Sequence, residues 1–304
     1  MKQAKKVGSR KETTIMKIMT MNTHSLVEPD FETKREWFAR MILNEQPDLL
    51  AMQEVNQTAA APMLGEKMLA GYAGCPESVI AVREDNYAAW LAARLRQDGV
   101  EYHWTWLPAK LGYDKYDEGM AIFSRRPIEK VEQFFTSQSQ DYKNWKSRKM
   151  LGVQVGGIWY YTVHMGWWDD EEEPFVSQWS RMEARLHNKK EDVRPVWLLG
   201  DFNSSANVRG QGYDLVRQSD WRDTYADADS KDSGNTVEEV IDGWRERTSD
   251  LSEDGTVGMR LDYIFSSRPV PVIQSQVICN GKNYEKVSDH YGVMIETKDS
   301  GEDF

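Results

Sequence analysis

The residues that could do chemistry stand at the ends of strand-like runs: Asn22, Glu54, Glu118, His164, Asp201 with Asn203, Asp262, and Asp289 with His290. They offer hard oxygen ligands and two imidazoles, with no cysteine among them. Carboxylates and carboxamides in that mix suit Mg²⁺ or Mn²⁺, ions that keep several waters and bind substrate phosphate. A histidine beside a carboxylate suits general acid–base work, because the anion fixes the tautomer and favours the charged ring. The central stretch is Val196-Trp197-Leu198-Leu199-Gly200-Asp201-Phe202-Asn203, an apolar run that meets a glycine and then presents a carboxylate and a carboxamide two residues apart. Alternation in an extended chain puts Asp201 and Asn203 on one side. Each residue also has an ordinary reading: Asp and Asn terminate strands through Asx turns, a Glu after a strand is usually solvated, and a lone His is usually structural.

Elements that would position them follow from periodicity. Lys17–Met21 reads as a first strand ending at Asn22-Thr23-His24. A helix runs from an Asp30 N-cap, with Trp37, Phe38, Met41 and Ile42 on one face, and stops before Pro47. Leu49–Met52 is a short strand ending at Gln53-Glu54, and a second helix spans roughly 83–98 with Gly99 as its stop. The aromatic segment 102–107 and a loop rich in Gly, Tyr and Asp lead to a strand at Met120–Phe123. Residues 147–164 read as a hairpin turning at Gly156-Gly157 and ending in His164. A helix with the stripe Phe175, Trp179, Met182 and Leu186 precedes the central stretch; a loop-rich region with a helix near 236–247 follows it. Strands at 261–265 and 291–295 close the chain. Strands and helices alternate without repeats, which predicts an α/β fold: residues 1–15 as a disordered extension, 16–297 as one catalytic domain, and 298–304 as a flexible tail.

The chain has 304 residues, 40% hydrophobic and 29% charged, which suits a soluble globular protein. No apolar run has membrane-span length and none near the start resembles a secretory h-region, so the cytoplasm is the default location and no membrane or protein partner is implied. Cys75 and Cys279 match no metal spacing; reduced thiols are the expectation, with a disulfide the alternative. Net charge is −11, and the first fifteen residues carry Lys2, Lys5, Lys6, Arg10 and Lys11 against Glu12, so the remainder is more acidic still. Such a body repels a phosphate backbone and argues against a nucleic-acid partner.

The order of these blocks resembles the endonuclease/exonuclease/phosphatase superfamily. The matching segments are Met19–Asn22, Leu50–Glu54, Glu118–Arg125, Val163-His164, Gly200–Asn203, Arg260–Ile264 and Ser288–His290, spread over nearly the whole chain. The resemblance implies a four-layer α/β sandwich, two packed mixed β-sheets flanked by helices, with the site at one end of the sheets. It implies Glu54 as the main metal ligand with Asn22 beside it and Asp289 near, and Asp201 and Asn203 orienting water, phosphate or a second ion. His290, supported by Asp262 or Asp289, would contact the phosphoryl group or activate water. His164 paired with Glu118 would form a second histidine dyad, a feature of the deoxyribonuclease and phosphatase branches more than of repair endonucleases. The implied reaction is in-line attack of water at phosphorus with Mg²⁺ (or Mn²⁺) as cofactor.

Substrate choice must come from the rim. Trp104, Trp106, Trp167 and Trp168 fall near segments that lead to the site; each could stack on a sugar or base, or pack in the core. Trp167 and Trp168, being adjacent, cannot both point inward, so one should be exposed. The carboxylates from Asp169 to Glu173 would repel a polynucleotide yet accept bonds from sugar hydroxyls; a solvated helix N-terminus is the competing account. Lys146, Arg148 and Arg260 are candidate phosphate contacts or surface charges. Segments 83–87, 104–109, 112–119, 166–175 and 240–245 further resemble the bacterial maltose 6'-phosphate phosphatases, which implies a small-molecule sugar phosphate as substrate. The rival readings are a metal-dependent nuclease or other phosphodiesterase, in which the tryptophans stack bases, and a non-catalytic scaffold, which would not need the whole acid–imidazole set.

Overall fold

The computed structural model describes residues 15–239, 241, 244 and 258–298. Residues 1–14 of the expected extension, 299–304 of the expected tail, and all but residues 236–239, 241 and 244 of the expected helix near 236–247 lie outside the described residues; Ile15 and Lys298, expected in the extension and the tail, pair with each other in the first and last strands. Residues 236–239 are not helical. In chain order the elements are β1 (Ile15–Asn22), α1 (Phe31–Glu45), β2 (Leu49–Thr58), α2 (Tyr87–Gln97), β3 (His103–Gly112), β4 (Tyr116–Ser124), β5 (Lys130–Phe135), β6 (Lys149–Val155), β7 (Ile158–His164), α3 (Phe175–Lys190), β8 (Val196–Asp201), β9 (Arg222–Asp223), β10 (Ser230–Lys231), β11 (Asp262–Ser266), β12 (Val272–Ile278) and β13 (Gly292–Lys298), with shorter helical turns between some of them. They form a seven-stranded mixed sheet, β10-β12-β13-β1-β2-β4-β3, and a six-stranded one, β5-β6-β7-β8-β11-β9.

Period-two alternation explains the layering. Ile18, Leu49, Ala51, Leu107, Met120 and Ile122 of the first sheet face Leu151, Val153, Tyr160, Trp197, Leu199 and Ile264 of the second across a common apolar interior. The alternate residues Met19, Met21, Leu50 and Met52 pack outward on Phe38, Met41 and Ile42 of α1 and Leu91 and Leu95 of α2. On the other side Tyr161, Val163, Val196 and Leu198 pack on Phe175, Trp179, Met182 and Leu186 of α3. The result is helix, sheet, sheet, helix, the expected four-layer sandwich.

Several boundaries differ from the sequence reading. α2 begins at Tyr87, four residues late, because Asn86 caps it by accepting the Ala89 amide at 3.0 Å. The Gly-, Tyr- and Asp-rich loop is the tip of a long hairpin, with β3 and β4 extending through Gly112 and Tyr116. β5 and β12 carry too weak an apolar alternation to have been expected. Cys75 and Cys279 are free buried thiols.

Near one end the interior turns polar. The Gln53 amide donates to Thr162 Oγ1 at 2.7 Å and Thr20 Oγ1 at 3.2 Å, bridging the two sheets. Gly200 sits over this bridge at φ +146°, a conformation an L side chain rarely adopts; a Cβ there would lie 2.0 Å from the Val163 carbonyl oxygen and 2.9 Å from Gln53 Nε2. Gly200→Ala is therefore expected to destabilise the fold by about 2 kcal/mol or more, read as a lowered midpoint in denaturant titration. An unchanged midpoint would refute the close-approach argument.

Candidate active site

Parity carries the polar residues to one place. Asn22 continues the inward face of Ile18 and Thr20, Glu118 that of Met120 and Ile122, His164 that of Tyr160 and Thr162, Asp201 that of Trp197 and Leu199, and Asp262 that of Ile264. Register completes it: Asp201 pairs with Asp262 on β11 and with His164 on β7. Glu54 is the exception. Regular alternation after the inward Gln53 would turn Glu54 toward the helices, but β2 bulges between Met52 and Val55, and Glu54 adopts a left-handed φ of +53°. The bulge re-aims its carboxylate into the site, strain of the kind found at functional positions.

Asn22 Nδ2 donates to Glu54 Oε1 at 3.0 Å and to Asp201 Oδ2 at 3.2 Å. Nε2 of His164 lies 3.8 Å from each of those same two oxygens, and Nε2 of His290 lies 3.8 Å from Asp201 Oδ2. His290 Nδ1 meets Asp262 Oδ2 at 2.9 Å, which makes Asp262 its supporting carboxylate, whereas Asp289 lies 3.8 Å from His24 Nδ1. Asp201 Oδ1 accepts the Asn203 amide at 2.8 Å, an Asx turn with Asn203 left-handed at φ +46°. The ordinary reading of this pair and the site reading thus coincide. The Asn203 side chain donates to the Met165 carbonyl at 2.9 Å and accepts from Trp244 Nε1 at 3.0 Å.

Burial and charge set the protonation pattern. Burial alone would depress the His290 imidazole, but Asp262 and Asp201 outweigh it and raise its pKa well above the usual value. His164 goes the other way, pushed well below its usual value by burial and then by the Arg148 and Lys110 cations. Burial lifts Asp201 to about 7 despite the opposing His290 charge, and burial with the neighbouring Glu118 charge raises Glu54.

The residues fit a divalent cation. Glu54 Oε1 and Asp201 Oδ2 are bridged by the Asn22 amide, and Asp289 stands with His24 and Glu28 in a group whose ligand atoms lie within 4.8 Å of one another; Asp201, Asp262 and His290 form a second such group, in which the His290–Asp262 pairing holds the imidazole proton. Among the described residues Asp262 Oδ1 is buried with no hydrogen-bond partner. Oxygen donors crowded in an environment that disfavours their charged forms are what a cation would stabilise.

A cavity of about 540 Å³ opens over this centre, lined by Glu54, His164, Asp201, Asn203, Asp289 and His290 and by Tyr113, Trp145, Trp167, Lys110 and Arg148. Several sequence expectations need correction here. Trp104 and Trp106 do not face substrate: both are fully buried, and their indole N–H groups donate to the carbonyls of Ala70 and Val55. Trp168 packs on Phe175 over α3 and does not line the cavity. Neither Trp167 nor Trp168 is fully exposed; the exposed indole is Trp145, 50% accessible, packed 5.7 Å from Trp167. Glu118 forms no dyad with His164, because Lys110 Nζ takes it at 3.0 Å. Lys146 is held by Asp170 at 3.0 Å, and Arg260 pairs with Asp223 at 2.8 Å among Tyr213, Tyr225 and Tyr263, away from the cavity.

The acidic run is a joint between loops. Asp170 accepts the amides of Glu172 and Glu173 and the Lys146 ammonium; Glu172 accepts from Asn144; buried Glu173 accepts the amides of Gln138 and Ser139 at 3.0 and 2.7 Å. These bonds lock the loop carrying Trp145 and Arg148 to the loop carrying Trp167. Sequence reasoning missed Lys110, His24, Tyr113 and Trp244 at the site. A lysine in the otherwise apolar β3 was the available signal for the first.

The profile of the Endonuclease/Exonuclease/phosphatase family matches residues 19–290. The chain belongs to that family. Family members are divalent-metal-dependent phosphoric ester hydrolases, a group that includes nucleases and phosphatases. No match was found among curated protein sequences. Among solved structures, an endonuclease/exonuclease/phosphatase family protein from Leptotrichia buccalis C-1013-b is 30% identical over 93% of this chain and 99% of its own, with a TM-score of 0.77. Two more distant neighbours share the fold: a mannosyl-6-phosphatase from Bacteroides thetaiotaomicron, at 17% identity, 93% and 99% coverage and TM-score 0.58, and the 3' phosphatase NExo from Neisseria bound to a product DNA hairpin, at 18%, 93% and 99%, and 0.58. No helix among the described residues is long and apolar enough to cross a membrane.

Asp262→Asn removes the anion that holds the His290 proton, so the His290 pKa should fall, seen by imidazole NMR titration, and turnover should drop by about two orders of magnitude. An unmoved His290 titration would refute the pairing.

Proposed function

We propose that this family member is a metal-dependent phosphomonoesterase that hydrolyses a phosphorylated disaccharide, of the maltose 6'-phosphate kind, to free sugar and orthophosphate in the cytoplasm. The observation that carries the reading is the cavity itself: an acid–imidazole centre at its floor and, at its mouth, the exposed Trp145 and Tyr113 beside Trp167. Aromatic faces suit the apolar faces of sugar rings, and the acidic surface disfavours a long polyanion.

Glu54 and Asn22, with Asp289, would hold Mg²⁺ or Mn²⁺, which supplies charge neutralisation at the phosphoryl oxygens. The protein's own groups do the rest. Asp201, with a pKa lifted to about 7 by burial, would accept a proton from the attacking water. His290, kept protonated by Asp262, donates from Nε2 to a phosphoryl oxygen as negative charge builds there. Asn203, tied to Met165 and Trp244, keeps Asp201 in orientation. Arg148, buried at the cavity wall, meets the phosphate. Water adds at phosphorus as its proton passes to Asp201, the ester P–O bond breaks, and the departing sugar oxygen takes a proton from solvent water.

The test is phosphate release in Mg²⁺ from maltose 6'-phosphate, trehalose 6-phosphate, glucose 6-phosphate and a nucleoside monophosphate, with plasmid nicking assayed alongside. Release confined to disaccharide phosphates and abolished by chelator is expected; nicking without sugar-phosphate hydrolysis would replace this reading with the nuclease one. Glu54→Ala and His290→Ala should each lower turnover at least about a hundredfold in folded protein. Trp145→Ala should raise KM for the disaccharide phosphate about tenfold, with less effect on glucose 6-phosphate. Normal turnover in either of the first two variants would remove those residues from the mechanism.

A further inference from the structure

Lys110 has no part in the chemistry above, yet it lines the cavity and is 93% buried, with a 7% residual exposure. Its partner is Glu118 at 3.0 Å. Beside it is a second buried cation, Arg148, also lining the cavity; among the described residues its guanidinium bonds to the carbonyl oxygens of Trp145 and Ser147, and its Nε is buried with no hydrogen-bond partner. Among the described residues Arg148 forms no ion pair. Glu118 is thus the contact partner of Lys110 alone; Glu118, Glu54, Asp201 and Asp170 act on Arg148 from beyond ion-pair distance, and Arg148 is near enough to help burial lower the Lys110 pKa. A buried cation with no anion in contact is costly, and an incoming anion that makes that contact is favoured. The two come from different elements, β3 and the loop before β6, and both are held fast: the Leu111 amide donates to the Tyr142 carbonyl at 2.7 Å and the Tyr142 hydroxyl to Asp117 at 2.7 Å, tying that loop to the hairpin.

A phosphate monoester differs from a diester in one respect that such a wall can read: near neutral pH it carries a second negative charge on an oxygen that in the diester bears a carbon. We propose that Lys110, backed by Arg148, is the specificity-determining residue that binds this extra anionic oxygen and makes the site select terminal monoesters over internal diesters. The inference rests on the phosphomonoesterase reading above and deepens it; it does not depend on the sugar. Glu118 holds Lys110 in place. A diester would set an uncharged ester oxygen and its substituent against the ammonium, losing the ion pair and desolvating the cations without a contacting anion.

The experiment uses p-nitrophenyl phosphate and bis(p-nitrophenyl) phosphate in excess Mg²⁺, with inorganic phosphate as product inhibitor. Lys110→Met should raise KM for the monoester and the inhibition constant of phosphate about tenfold each, with a smaller change in kcat, and should cut the monoester-to-diester ratio of kcat/KM by a similar factor. Lys110→Arg, which keeps the charge, should recover most of the loss. Equal losses on both esters, a fall in kcat with KM unmoved, or recovery in Lys110→Met/Glu118→Gln would overturn the proposal, since each marks Lys110 as a mere counterion to Glu118. Wild-type activity on the aryl monoester but on no sugar phosphate would end the sugar reading and leave this one standing. Activity on diesters alone would end both.

Discussion

Keeping carboxylates out of water at the end of an apolar interior is the constraint on which this structure depends. Asp201 and Asp262 are each 1% exposed and sit directly beyond the side chains that the two sheets press together. Ionised groups in such a place need partners. The protein supplies them in layers: Gln53 bridging Thr20 and Thr162 beneath, Asn22 joining Glu54 to Asp201, the Asn203 amide on Asp201, and His290 on Asp262. What remains after those bonds is a pair of carboxylates, Glu54 and Asp201, whose pKa values burial raises, so that their charged forms await a compensating cation.

The two histidines show how one fold assigns different roles to one side chain. Both lie 3.8 Å from Asp201 Oδ2. Burial disfavours the charged form of both; at His290 the Asp262 and Asp201 carboxylates outweigh it and raise the pKa, whereas at His164 the Arg148 and Lys110 cations add to it and lower the pKa. The difference comes from what stands one residue further back: Asp262 in one case, Lys110 and Arg148 in the other. Lys110 also takes the Glu118 carboxylate that would otherwise have been available to His164. One lysine on β3 thus changes the electrostatics of a residue on the opposite sheet.

The cavity mouth is built by loops rather than by the sheets. Asp170, Glu172 and Glu173 bind Lys146, Asn144 and the amides of Gln138 and Ser139, so the loop bearing Trp145 and Arg148 is tied to the segment bearing Trp167. The acidic run is therefore divided: Glu173, 2% exposed, is an internal strut between loops, while Asp169, Glu171 and Glu172 face solvent. Loops can vary without altering the strands that carry the polar centre, and function lives in such sites rather than in the fold itself.

The sequence by itself determined the layers and the polar strand ends. Alternation assigns Leu49 and Ala51 to one face and Leu50 and Met52 to the other, and the stripe Phe175, Trp179, Met182, Leu186 can bury only against a sheet. Parity alone then brings Asn22, His164, Asp201 and Asp262 inward, because period two is a local property of extended chain. Three things were decided only by tertiary structure. The bulge that turns Glu54 inward is a register mismatch between β2 and β4, visible only once they pair. The fates of Trp104 and Trp145, core and rim, depend on what packs over each, since an indole suits either place. The exchange of Glu118 from His164 to Lys110 depends on two strands meeting across a hairpin whose bulge lies between Pro108 and Lys110. Local periodicity propagates along a strand; charge pairing is settled between strands, by distances that no linear pattern contains.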